Sequence, residues 1–194
     1  MIPGQRLESP KALLAQASAL VSVTGAAATF FKTSAVASAA TTHEAVVARA
    51  RRKSAEAALK AGKERRREDW LLLSRAMADA AEEASRGVEE CERFDVASDE
   101  TLTRMSAELR DATQAAHAAL GALGEAARCA DFLVMTKRKA SAVEGLNRRA
   151  RKAAMEQPNV VTELKARAVY QRFSQAAESL QKIADVLGQI VALP

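Results

Sequence analysis

The sequence predicts an all-α protein, an antiparallel helical bundle, on three observations. Proline and glycine are scarce, at 4 and 8 in 194 residues, too few to punctuate a sandwich, a barrel or a chain of short strands. Hydrophobic content is 48% and led by alanine, while aromatic residues make up 4%, so the core must form by close helix approach rather than by large side chains. Third, Tyr170, Phe173, Ala177, Leu180, Ala184, Leu187 and Val191 recur at steps of three and four in the C-terminal stretch. That spacing puts them on one stripe of a helix, with Arg172, Gln175, Ser179, Lys182 and Gln189 mostly off it. A sustained heptad period favours shallow, nearly parallel packing against other helices. The expected architecture is about six helices in a single domain over 1–194, in two three-helix halves at about 9–93 and 98–193.

Each element has its own signals. Ser9-Pro10 is a helix start, because serine offers a capping oxygen and proline at the first helical position loses no needed N–H. The Ala-rich pattern then runs to about Val36, with Gly25 as a place where it can break. Residues 12–31 lack any charged side chain, a length that could span a bilayer. Gln16, Ser18, Ser22, Thr24 and Thr29 dilute that run, and Lys32 interrupts the approach to the SAVASAA that imitates a cleavage site, so a buried first helix is expected. A second helix is expected over about Ala39–Ala61, ended by Gly62, with Val46, Val47, Ala50 and Leu59 inward and Arg49, Arg51, Arg52 and Lys53 opposite.

A third helix opens at Arg67-Glu68-Asp69, acids favoured at an N-terminus, and carries Trp70, Leu73, Met77, Ala80, Ala84 and Cys91 inward. Phe94–Ser98 punctuates, with Ser98 as the expected N-cap. A fourth helix places Leu102, Met105, Leu109, Ala112, Ala116, Leu123 and Ala130 on one face, and propensity alone leaves open a bend at Gly121 or Gly124. The fifth runs from about Asp131 to Met155, stopped by Pro158, with Phe132, Leu133, Ala140, Val143, Leu146, Ala150 and Ala154 inward. It repeats the basic character of the second helix in Arg148, Arg149, Arg151 and Lys152.

Catalytic chemistry finds little purchase. No Gly-rich phosphate loop precedes a helix, and only His43 and His117 could serve as imidazole bases, neither in a visible triad. No Glu-x-x-His occurs for a di-iron site. Cys91 and Cys129 are far apart without a metal-ligand pattern, so both read as buried free thiols. The expectation is a protein that is not an enzyme and carries no cofactor.

Tyr170, the run Ile183-Ala184-Asp185-Val186-Leu187, and Ile190-Val191 resemble the closing helix of the PhoU-like family of phosphate-transport regulators. Arg67-Glu68-Asp69 with Trp70 and Leu73 is similar to the segment that opens a middle helix of that family. The resemblance extends to the number, length and order of helices over nearly the whole chain. It implies a cytoplasmic regulatory or accessory protein, peripheral at the inner face of the membrane, that contacts a Pit-type phosphate permease. PhoU-like proteins also carry Glu-x-x-x-Asp pairs that gather iron or zinc. Aligned through Arg67-Glu68-Asp69, this chain offers His43 with Val47, Ala78 with Glu82, Glu144 with Arg148, and Ser174 with Glu178. No pair is complete, and a one-residue slip yields only Asp79 with Glu83. Two carboxylates one turn apart share a hard cation, whereas Glu beside Arg satisfies itself. Glu44, Glu82, Glu144, Glu178 and Asp185 are the remaining metal candidates, expected to be ordinary helix carboxylates.

The basic clusters are the other candidates. The net charge of +5 and pI near 9.5 permit attraction to phosphates or an acidic surface without requiring it. Arg49, Arg51, Arg52, Arg148, Arg149 and Arg151 could bind an anion or a partner where they converge. Base-stacking aromatics are too few for nucleic acid, and nearby acids also allow a salt-bridged solvated face. The expected function is accessory, by protein contact with a phosphate permease. A metal- or anion-binding bundle and a structural oligomerisation scaffold are the alternatives, and a homo-oligomer fits any of them.

Overall fold

The computed structural model describes residues 11–33, 67–154 and 159–192. The helix expected over 39–61 lies outside these, and with it His43, Glu44, Arg49, Arg51, Arg52 and Lys53. Five helices account for nearly all of the described chain: α1 Lys11–Thr33, α2 Arg67–Phe94, α3 Glu100–Gly121, α4 Ala126–Ala154 and α5 Val160–Ala192. No strand occurs among the described residues.

The heptad stripe of α5 is the centre of the packing, as its sequence predicts. Tyr170, Phe173, Ala177, Leu180, Ala184 and Leu187 are buried, and Val191 packs against the same core half-covered. Ser179 departs from the expectation: it is buried, in line with the wide buried face that three neighbours impose. α5 touches α2, α4 and α3; α3 also touches α1 and α4, and α1 closes on α2. Among the described helices α2 and α4 do not meet and lie at opposite edges.

Helix directions follow from paired contacts. Ser18 lies 3.1 Å from His117 while Thr103 donates to the Phe31 carbonyl, so α1 and α3 are antiparallel. Lys137 pairs with Asp185 and Gln181 donates to Glu144, which sets α4 against α5 the same way. Alanine lets these helices approach closely, and glycine does so most directly at one point. A Cβ at Gly87 of α2 would stand 2.8 Å from the Phe173 ring of α5 and 3.3 Å from the Arg172 Cβ. Across the same contact Arg172 donates to Glu90 at 2.9 Å and to Glu83 at 3.1 Å. These two carboxylates, Glu90 first, hold the guanidinium protonated to higher pH than usual.

α1 runs unbroken through Gly25 and is long and apolar enough to cross a membrane. Leu13, Ala17, Leu20, Ala27 and Phe31 are nonetheless buried against the bundle, as expected, while Ser18 and Ser22 face out and donate to carbonyls one turn back. The single helix expected over 98–130 is in fact two elements. α3 stops at Gly121, and Glu125 starts α4 by accepting from the Cys129 N–H at 2.9 Å. Two glycines within four residues weaken the helix locally, and the reversal lets α4 lie back along α3. Ala130 therefore belongs to α4 and is exposed rather than buried.

Candidate functional site

One end of the bundle carries the features that suit a binding site. There α2 ends, α3 begins, α4 ends and α5 begins. The Asp95 N–H donates to Glu92 and the Val96 N–H to Cys91, a double closure that stops α2 with Asp95 in the left-handed region at φ 53°. Asp tolerates that conformation better than most residues. The chain then turns at once into α3, whose N-cap is Asp99. This corrects the expectation of Ser98: the Asp99 carboxylate accepts from the Leu102 N–H at 2.7 Å. Ser98 instead donates to the Phe31 carbonyl at 2.9 Å, tying the turn to the end of α1.

The same carboxylate accepts a hydrogen bond from the Tyr170 hydroxyl, which joins α3 to α5. Burial, and then this bond, push the phenol well above its ordinary pKa. Behind it, burial and the charges of Glu92, Asp99 and Asp95 push the Cys91 thiol up to about 11. Between the four helix ends opens a cavity of about 500 Å³. Its walls are Phe94, Val96, Ala150, Ala153 and Ala166, and its polar groups include Asp99, Glu163, Lys165 and Tyr170. Sequence reasoning placed Tyr170 only on the core stripe. The signal for its second role was half available: a buried phenol needs a partner for its hydroxyl, but that Asp99, at the start of α3, supplies it follows from the packing.

The arginines predicted on α4 stand at this end. Arg148, Arg149, Arg151 and Lys152 are all exposed, and none forms an ion pair with another described residue. Ala150 and Ala153, on the same turns, line the cavity. The helix C-terminus favours positive charge there. Val160, Val161 and Leu164 at the start of α5 are 63%, 61% and 56% exposed. Cationic and apolar groups thus share the end of the bundle, facing solvent. How Arg49, Arg51 and Arg52 stand to them falls outside the described residues.

The metal candidates disperse. Glu82 pairs with Arg86 at 2.6 Å on α2, and Glu144 accepts from Gln181 at 2.8 Å. Asp185 joins α5 to α4 through Lys137 at 2.6 Å, while Glu178 is exposed. Glu83 of the Asp79–Glu83 pair is taken by Arg172. Among the described residues no group of three or more His, Cys, Asp or Glu could hold a metal ion. His117 is half-buried against Ser18, and both cysteines are buried free thiols. Cys129 donates to the Ala119 carbonyl at 3.3 Å, and burial raises its pKa. No protein-family model matches the chain, and no curated protein matches it either.

Proposed function

We propose that this protein is a non-enzymatic accessory or regulatory protein of inorganic phosphate transport, acting by docking the cationic end of its bundle on a phosphate permease. The observation that carries the docking is the cluster of Arg148, Arg149, Arg151 and Lys152, exposed and without ion pairs to other described residues. Helix-surface arginines are usually neutralised by acids one turn away, as Arg86 and Arg167 are here. Four cations left open beside a cavity and beside Val160, Val161 and Leu164 make a surface with charge for steering and apolar area for affinity. Phosphate transport enters through the PhoU-like resemblance of α2 and α5, which supports the choice of partner.

Capture from native membranes tests the reading. Tagged protein should bring down a phosphate permease, with recovery falling as salt rises from about 0.01 M to about 1 M and screening shortens from ~30 Å to ~3 Å. Recovery of no transporter at either salt would reject the permease. Iron or zinc bound stoichiometrically to protein purified without chelator would favour the metal-binding alternative instead.

A further inference from the structure

The long edge of α4 carries a second pattern that the end cluster does not explain. Val134, Arg138, Ser141, Gly145, Arg149 and Lys152 recur at steps of three and four. They share the outward line of the helix, opposite the buried Leu133, Ala140, Val143 and Ala150. The line is ~27 Å long at ~1.5 Å per residue. Val134 is 68% exposed and its neighbour Met135 47%. Arg138, Arg148, Arg149 and Lys152 have no ion pair with another described residue. Asp131 adds one acid near the start of the line, and Glu144, to its side, is taken by Gln181.

The helix dipole accounts for basic residues in the last turns. It does not account for Arg138 in mid-helix, nor for two large aliphatic side chains left in water beside it. Among the described residues α4 touches only α3 and α5, so its outer side is an edge of the described helices. A flat surface can meet such a line along its whole length.

We propose that this edge of α4 lies on a bilayer rich in anionic lipid headgroups. Arg138, Arg148, Arg149 and Lys152 sit at the lipid phosphates, and Val134 and Met135 enter the headgroup layer. A row of cations continued at one end by exposed apolar side chains suits interfacial binding. Nucleic acid would gain nothing from Val134 and Met135, and the line offers no aromatic ring for base stacking. The inference does not depend on the transporter: it places the protein at a membrane whether or not a permease is its partner.

Vesicle co-sedimentation with the full chain tests it, using phosphatidylcholine alone and phosphatidylcholine mixed with phosphatidylglycerol. The wild type should sediment with the mixed vesicles at about 0.01 M salt and be released at about 1 M. The triple variant Arg138→Glu, Arg149→Glu, Lys152→Glu should bind at least ~100-fold more weakly, since each cation near the surface contributes most of a tenfold factor. Arg75→Glu, Arg93→Glu, Arg104→Glu makes the same charge change elsewhere and should bind much more strongly than the α4 triple. Val134→Ser with Met135→Ser should weaken binding about tenfold while leaving the salt dependence in place. All these positions are exposed, and unchanged helical circular dichroism checks the fold of each variant. The proposal is overturned if the wild type stays in solution with mixed vesicles, or binds phosphatidylcholine alone equally well. It is also overturned if the two triple variants lose binding equally, or if the serine pair has no effect and an oligonucleotide displaces the vesicles. Pure lipid holds no protein, so vesicle binding without permease capture would reject only the transporter reading. Permease capture from detergent without vesicle binding would reject only this one.

Discussion

Adding one methyl group at Gly87 tests the packing on which the fold depends. In an exposed helix interior, Gly→Ala stabilises by about 1 kcal/mol through backbone entropy. At Gly25 of α1 nothing lies within 4 Å of the added Cβ, so that gain should appear nearly whole, as a Tm rise of about 2–4 °C for a chain of this size. At Gly87 the same methyl would meet the Phe173 ring at 2.8 and 3.1 Å and the Arg172 Cβ at 3.3 Å. Phe173 is fully buried, so its ring cannot swing aside. Overpacking of this kind costs about 1–3 kcal/mol, which cancels or exceeds the entropic gain. Gly87→Ala should therefore melt about 2–12 °C below Gly25→Ala. In a Phe173→Leu background the added methyl should become favourable again, because the aromatic edge it meets is gone. Thermal melts of the four variants by circular dichroism decide the point. If Gly87→Ala raised Tm as much as Gly25→Ala, the close approach of α2 and α5 at Phe173 would be refuted.

Three further outcomes follow from the polar contacts. Tyr170→Phe and Asp99→Ala should each destabilise, by about 1–2 kcal/mol, and together by less than their sum, because they share one hydrogen bond; denaturant midpoints measure this. Arg172→Ala should cost about 1–3 kcal/mol, since it leaves Glu90 without its cation and Glu83 with Arg86 alone, whereas Arg86→Ala on the exposed side should cost little; urea titration compares them. Cys91 and Tyr170 both have folded-state pKa values raised above their unfolded ones. A raised acid keeps its proton better when folded, so this stability is intact below the unfolded value and drains as pH climbs. For Cys91 the window runs from its ordinary 9.0 up to about 11. Stability should fall across that range, and Cys91→Ala should flatten the fall in Tm against pH.

Periodicity made most of the fold legible. The heptad of α5 and the inward residues of α2 from Trp70 to Cys91 are buried where the spacing puts them. What the pattern missed were boundaries and tertiary polar contacts. Ala130 continued the apolar period of α3 by arithmetic, yet the chain had already reversed after Gly121, because a short Gly-containing turn and the packing of α4 outweigh weak local propensity. Ser98 and Asp99 are both good caps by composition; Asp99 serves because its carboxylate satisfies the Leu102 N–H and the Tyr170 hydroxyl together, while Ser98 finds the end of α1. The site was legible in kind rather than in place. Arg148, Arg149 and Arg151 were visible as a basic cluster, but their lack of ion pairs with described residues, Glu144 being taken by Gln181, and the cavity beside them depend on how the helices converge.

We propose that the cationic end of α4 docks on a phosphate permease. The most direct measurement is capture of membrane proteins by the wild type and by Arg148→Glu, Arg149→Glu, Arg151→Glu, side by side at low salt, with bound proteins identified by mass spectrometry. A phosphate permease is expected on the wild type and should be lost from the variant, with the helical spectrum unchanged. A permease retained equally by both would contradict the docking surface, and its absence from both would contradict the partner.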